Sequence, residues 1–116
     1  MALLFCSPVD DPEAWRQELS KHLPELDFRV YPELADAAAI DVALVWQPPP
    51  GLLASLPNLR LIQALSAGVD GLLADPTLPE VPLCRMVDDS LRRTMVEYVL
   101  AQVLFYHREL DQYEEQ

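Results

Sequence analysis

The chain has 116 residues, of which 51% are hydrophobic, and its 19 acidic and 8 basic side chains give a formal net charge of -11. This composition indicates one globular domain, and the acidity excludes the basic face that nucleic acids and anionic membranes require. Because no apolar stretch approaches the roughly 20 residues of a transmembrane helix, we expect a cytoplasmic protein with neither type of partner.

Strands and helices alternate along the first half of the chain. The predicted elements are a strand at Ala2–Ser7, a helix that opens at Asp11-Pro12-Glu13 and runs to about His22, an edge strand at Asp27–Tyr31 and a buried strand at Asp41–Trp46. An early proline and acids in the first turn are typical of a helix start. The Ala-rich segment Pro32–Ile40 stays ambiguous, and Pro48-Pro49-Pro50 ends the buried strand.

The second half continues the alternation. It predicts a short helix at Pro50–Ser55, a strand at Leu59–Leu65, a short helix after a loop of small residues, a strand at Val81–Met86 and a long helix from Ser90 to about Gln112. Such alternation predicts an α/β fold, a flavodoxin-like parallel sheet of five strands in the order 2-1-3-4-5 with helices on both faces. The long helix is apolar over much of its circumference, so it requires cover on more than one side.

The composition of one loop, Ser66–Asp70, indicates a binding site. The apolar strand Leu59–Leu65 ends in Ser66–Asp70, whose small residues leave backbone N–H groups free to hold an anion. Ligands of open α/β sheets bind at the carboxyl ends of the strands. Trp46 ends a neighbouring predicted strand, so we expect Trp46 and the loop to face one crevice.

Several other chemistries lack the residues they need. A dinucleotide fingerprint requires Gly-x-Gly-x-x-Gly, and the three glycines at positions 51, 68 and 71 do not have that spacing. A phospho-receiver is a weaker alternative, because Asp10-Asp11 follow the first strand as metal-binding acids would. Its phosphorylatable Asp is missing from the end of the third predicted strand, and the single lysine, Lys21, is far from the fifth.

The cysteines and histidines predict neither a disulfide nor a metal site. Cys6 and Cys84 both lie in apolar, strand-like runs, so we expect two buried, reduced thiols. His22 and His107 have no partners at the spacing of metal ligands. No metal is therefore expected.

Four segments in order resemble the D-isomer-specific 2-hydroxyacid dehydrogenases, and within them the branch of the glyoxylate/hydroxypyruvate reductases A. These segments are Leu44–Pro49, Leu65–Asp70, Val81–Met86 and Met95–Val99 with the helix that follows. The resemblance implies a two-domain NAD(P)H enzyme that reduces small 2-oxo acids. It also implies that backbone N–H groups of Ala67, Gly68 and Val69 bind the substrate carboxylate and that Trp46 lines the substrate pocket.

The same resemblance implies that residues 1–116 are the N-terminal part of the substrate domain, without the NAD(P)-binding domain or the catalytic Arg, Glu and His. No catalytic residue is therefore assigned, and Arg85, Glu97 and His107 are not given those roles. We expect the chain alone to bind no cofactor and to be inactive, and its residues do not decide between NAD and NADP. The alternative is a non-catalytic interaction module, with a homodimer formed through the C-terminal helix.

Overall fold

The computed structural model describes residues 1–114, which form two compact units, Met1–Met86 and a second unit that begins at Val87. The strands of the first unit are β1 (Ala2–Cys6), β2 (Asp27–Val30), β3 (Ile40–Val45), β4 (Leu61–Ala64) and β5 (Leu83–Cys84). Its helices are α1 (Pro12–His22) and α2 (Asp70–Leu73), with 3-10 turns at Ala37–Ala39 and Leu53–Ser55. The second unit contains α3 (Asp89–His107) and α4 (Asp111–Glu114).

The five strands form one parallel sheet in the order β2-β1-β3-β4-β5, which confirms the predicted topology. Strand β3 keeps its predicted length but begins one residue earlier, at Ile40, whereas the other strands are shorter than predicted, most of all β5, whose predicted range is Val81–Met86. This strand pairs only with β4, and Pro82 has no N–H to extend the ladder. The predicted helix at Pro50–Ser55 is a single 3-10 turn, and the ambiguous segment contains the other.

Alternating side chains divide the core between the two faces of the sheet. On one face, Trp15 and Leu19 of α1 pack against four buried residues, Leu3, Phe5, Phe28 and Leu44. The Phe5 ring centroid lies 5.6 Å from that of Phe28 and 6.2 Å from that of Trp15. The other face of the sheet is covered by leucines of the 3-10 turn Leu53–Ser55, of the loop that flanks this turn and of α2. Both faces of the sheet are therefore covered, as predicted.

The prediction of two buried thiols is wrong for Cys84. Both cysteines are free, but only Cys6 is buried, and this burial raises the pKa of its thiol. Cys84 pairs in register with Gln63 on the face that α1 covers. The buried residues under α1 come from β1, β2 and β3, so the edge strand β5 leaves Cys84 exposed on that face.

The long helix ends earlier than predicted, at His107 instead of near Gln112. Glu109 adopts a left-handed φ of 54°. The N–H of Leu110 donates to the Phe105 carbonyl at 3.0 Å, and the N–H of Glu109 donates to the Tyr106 carbonyl at 3.1 Å. This pair of bonds is a Schellman cap, which usually carries glycine at the left-handed position. Because the residue at this position is glutamate, no glycine in the sequence indicates that the helix ends here.

Candidate functional site

A cleft of about 370 Å³ lies at the carboxyl ends of β3 and β4. These strands are neighbours in the sheet, and Val45 pairs with Ala64 at their ends, so the segments that follow them leave the sheet side by side. One wall of the cleft is Val45–Pro48, and the other is formed by Ser66 and Gly68–Leu72. The structure therefore brings Trp46 and the small-residue loop together.

The loop that carries the second wall contains unused backbone donors. Within residues 1–114, the N–H groups of Ala67, Gly68 and Val69 donate no hydrogen bond to any part of the chain. The carbonyls of the loop are occupied: the Met86 N–H donates to the Ser66 carbonyl at 2.9 Å, and the Ser66 hydroxyl donates to the Gly68 carbonyl at 2.6 Å. The loop is therefore short of acceptors for its donors, which is the condition of an anion site.

Arg85 contacts this loop from the end of β5. Its guanidinium donates to the Ala67 carbonyl at a long 3.4 Å. In a trans peptide the C=O and the following N–H point in opposite directions. The Gly68 N–H therefore points away from the guanidinium, and in the same way the Val69 N–H points away from the Ser66 hydroxyl.

Trp46 forms the first wall immediately after β3. It is half-buried, and its backbone N–H donates to the Cys6 carbonyl at 2.8 Å, which fixes the start of the wall to β1. The next residue, Gln47, has a left-handed φ of 47°, an uncommon conformation for a residue other than glycine. This bend turns the chain into Pro48-Pro49-Pro50, whose φ angles are restricted.

Three of the four predicted site residues line the cleft: Trp46, Gly68 and Val69. Ala67 lies in the same loop, half-buried, but does not line the cleft. Asp70 belongs to the predicted loop Ser66–Asp70 and lines the cleft, whereas sequence reasoning did not place Arg85 near the site. The signal for Arg85 was available, because it lies near the carboxyl end of the predicted strand Val81–Met86, which is the neighbour of β4 in the predicted sheet.

Three observations on the described part of the chain concern features outside the cleft. No group of three His, Cys, Asp or Glu side chains in residues 1–114 is placed to hold a metal ion. The Ser7 hydroxyl donates to the Asp10 carboxylate at 2.6 Å in the loop after β1. Over the same residues, no helix is both long and apolar enough to cross a membrane.

No protein-family model matches the chain. Two curated relatives, the glyoxylate/hydroxypyruvate reductases A of Yersinia enterocolitica and Serratia proteamaculans, are each 39% identical to it over 120 residues. The alignments cover 98% of this chain and 38% of each relative, so the chain spans well under half the length of the curated relatives it matches.

The solved structures that this chain resembles belong to the same family as these relatives. A D-isomer specific 2-hydroxyacid dehydrogenase from Xanthobacter autotrophicus Py2, in complex with NADPH and MES, is similar with a TM-score of 0.85 at 38% identity. An NADPH-dependent glyoxylate/hydroxypyruvate reductase from Sinorhizobium meliloti, in complex with NADP and sulfate, gives 0.77 at 31%. These alignments cover 98% and 99% of this chain and 38% of each neighbour. The resemblance predicted from the four segments is thereby confirmed.

Proposed function

Because the chain resembles D-isomer-specific 2-hydroxyacid dehydrogenases over 98% of its length, we propose that it is the substrate-binding part of an NAD(P)H-dependent reductase of small 2-oxo acids such as glyoxylate and hydroxypyruvate. The observation that carries this proposal is the run of unused backbone N–H groups at Ala67, Gly68 and Val69 beside the cleft. The relatives' own names supply the substrate class.

The loop would hold the carboxylate of the 2-oxo acid. A carboxylate accepts two parallel N–H bonds well, and bonds to a charged acceptor contribute about 1.5–3 kcal/mol each. Gly68 and Val69 line the cleft, so they are the first candidates, with Ala67 next to them. The Arg85 cation beside the loop favours an anion there, whereas the Asp70 carboxylate in the same wall opposes one. Neutral N–H groups therefore provide the main attraction.

Trp46 would pack against the carbon skeleton of the ligand. Trp46 lines the cleft on the wall opposite the loop, and an aromatic side chain there would shield a small ligand from water on that side. A 2-oxo acid of two or three carbons is small relative to the cleft of about 370 Å³. The volume of the cleft in this chain is therefore large enough for the substrate, and part of the cleft would stay unfilled.

The residues of this chain do not fit the nicotinamide cofactor. Its pyrophosphate is usually held by a glycine-rich turn after the first strand. Here that turn is Ser7–Asp11, which contains two acids, and the Asp10 carboxylate already accepts from Ser7. No hydride-transfer step is derived from these residues, and the 116-residue chain alone is expected to oxidise no NADPH with glyoxylate. A steady decrease in NADPH absorbance that depends on glyoxylate would contradict this expectation.

Fluorescence of Trp46 tests substrate binding directly. The chain has two tryptophans, so Trp15→Phe leaves Trp46 as the single reporter. Oxamate, an unreactive analogue of a 2-oxo acid, should change this emission in a saturable way, and acetate at equal ionic strength should do so less. The reverse variant, Trp46→Phe with Trp15 kept, is the matched control and should show no change. Absence of any saturable response from Trp46 would count against the proposal.

A homodimer through α3 is a second candidate function, and one specific observation favours it. The helix exposes apolar side chains at helical spacings of three and four residues, including Met95, Val99 and Val103, each more than half exposed. Exposed apolar patches of this kind drive association. A second copy of the chain is the partner that is always present at the same concentration.

Light scattering over a range of concentrations tests the dimer. Val99→Lys places a charge among the exposed apolar side chains and should give a monomeric mass. Ala101→Lys adds the same charge on the side of α3 that carries Thr94 and Glu97, so it should leave the mass unchanged. A monomeric mass for the unmodified chain at every concentration would refute the dimer.

A further inference from the structure

One hydrogen bond joins the segments that carry the two walls of the cleft. The Asp75 carboxylate accepts from the backbone N–H of Gly51 at 3.1 Å, across 24 residues of sequence. Gly51 follows the three prolines after Trp46, and Asp75 lies two residues beyond the end of α2. The bond therefore joins two segments that each begin at one wall of the cleft. The first arm is residues 46–51, and the second arm is residues 70–77.

Both oxygens of Asp75 are occupied in this arrangement. While Oδ2 accepts from Gly51, Oδ1 accepts from the Thr77 backbone N–H at 2.8 Å and from the Thr77 hydroxyl at 2.6 Å. The Thr77 hydroxyl, the Thr77 N–H and the Gly51 N–H, in that order, lower the pKa of the Asp75 carboxyl. The side chain is held in one orientation by its own turn and is ionised at neutral pH.

The first arm is stiff enough to transmit this restraint. Between Trp46 and Gly51 lie Gln47 and three prolines whose φ angles are restricted. Gly51 itself has φ of 83°, a left-handed conformation that glycine adopts without cost. The position of the Gly51 N–H is therefore coupled to the direction in which Trp46 leaves β3.

The second arm is anchored independently. It consists of α2, where Leu72 is buried in the core, and the turn that Asp75 forms with Thr77. Between the arms lies a crevice of about 180 Å³, lined by Pro48, Pro50 and residues of the α2 segment. Side-chain packing is therefore incomplete there, and the Gly51–Asp75 hydrogen bond joins the two arms beside this crevice.

We propose that Asp75 is a positioning residue for the substrate cleft, which fixes the distance between the Trp46 wall and the anion-binding loop by holding Gly51. Asp75 does not line the cleft of about 370 Å³ and would not touch the ligand. This inference rests on the proposed function only where it concerns ligand affinity. The restraint on Gly51 and Trp46 exists without any ligand.

Asp75→Asn tests the restraint selectively. The carboxamide oxygen can still accept from Thr77, but the amide nitrogen then faces the Gly51 N–H, so two donors oppose each other. Thr77→Val is the matched control, because it removes the hydroxyl bond to Asp75 and leaves the Gly51 bond. Asp88→Asn is a second control, since Asp88 forms the same kind of turn with Ser90 and accepts no long-range hydrogen bond within residues 1–114.

Three readouts on the 116-residue chain separate the outcomes. In Asp75→Asn we expect hydrogen exchange at the Gly51 amide to become about tenfold faster and the Trp46 emission, read in the Trp15→Phe background, to shift to longer wavelength. The dissociation constant for oxamate should rise about threefold or more. Asp88→Asn should leave all three readouts unchanged, and Thr77→Val, which keeps the Thr77 backbone N–H bond to Asp75, should change them much less than Asp75→Asn does.

Two results would overturn the inference. One is an unchanged Gly51 exchange rate and Trp46 emission in Asp75→Asn, and the other is an equal effect of Thr77→Val. If the wild-type chain binds no oxamate, the proposed function fails while the first two readouts still judge Asp75. Should Asp75→Asn not fold, acid titration of the wild-type chain by NMR replaces it: the Gly51 amide and the Trp46 indole resonances must follow the Asp75 carboxyl, and independent behaviour of Trp46 refutes the restraint.

Discussion

Two adjacent leucines of α2 test how the Ser66–Asp70 loop, which precedes this helix, is positioned relative to the sheet. Leu72 is 8% exposed, belongs to the core and forms part of the cleft, whereas Leu73 is 62% exposed. Truncation of a buried leucine to alanine costs about 2–5 kcal/mol. Because Leu72 borders the open cleft, water can enter the space that its side chain leaves, so we expect the lower part of that range, about 2–3 kcal/mol. Leu73→Ala should change the free energy of unfolding by less than about 0.5 kcal/mol.

Urea denaturation followed by far-UV circular dichroism measures this difference. With a slope of about 1.5 kcal/mol per M, the Leu72→Ala midpoint should fall by about 1–2 M, and the Leu73→Ala midpoint should hardly move. The two variants have the same chemistry one position apart, so each is the control for the other. Equal losses, or a larger loss for Leu73→Ala, would mean that α2 is rotated relative to the sheet. The N–H groups of the preceding loop would then be directed differently, and the reasoning about the anion site would be refuted.

Three further predictions concern single side chains. Trp46→Ala should raise the dissociation constant for oxamate about three- to tenfold and alter the free energy of unfolding little, because the indole is only half-buried; calorimetry and urea denaturation measure the two effects, and unchanged affinity would remove Trp46 from the site. The exposed thiol of Cys84 should react with a thiol-specific disulfide reagent within seconds, whereas the buried Cys6, whose pKa is raised, should react only in denaturant; two fast thiols would contradict the burial of β1. The pKa of the Asp88 carboxyl is lowered by hydrogen bonds from the side chain and then the backbone N–H of Ser90. The stabilisation that Asp88 gives to α3 is therefore fully present above the unfolded-state pKa near 4 and is lost as the pH falls through the lower folded-state pKa. Circular dichroism at 222 nm from pH 5 to pH 2 should show this loss of helix, and Asp88→Ala should lack the part of the loss that comes from Asp88.

The sheet order and the position of the cleft could be predicted because they depend on local patterns. Alternating apolar strands and helices imply a parallel sheet, and the topology of such sheets places Trp46 and the Ser66–Asp70 loop at the same edge. The resemblance to known dehydrogenases then added the chemistry of the ligand. Neither step required knowledge of individual side-chain contacts.

The features that escaped prediction depend on contacts between distant residues or on unusual local conformations. The bond from Gly51 to Asp75 spans 24 residues, and no spacing in the sequence indicates it. Glu109 ends α3 in a left-handed conformation that sequence reasoning reserves for glycine. Cys84 lies in an apolar run like that of Cys6, and its exposure follows from the face of β5 on which it lies.

The loop itself can be observed at each backbone amide. In a ¹H–¹⁵N correlation spectrum of the 116-residue chain, oxamate should shift the amide resonances of Ala67, Gly68 and Val69 with a common dissociation constant. Two charge-assisted bonds, less the cost of association, suggest a value of about 1 mM or weaker. Acetate should shift the same resonances less, because its methyl group offers Trp46 a smaller contact surface than the carboxamide of oxamate. Saturable shifts confined to this loop and to Trp46 are the predicted result, and shifts centred on any other segment, or none at tens of millimolar oxamate, would contradict the assignment of the loop as the carboxylate site.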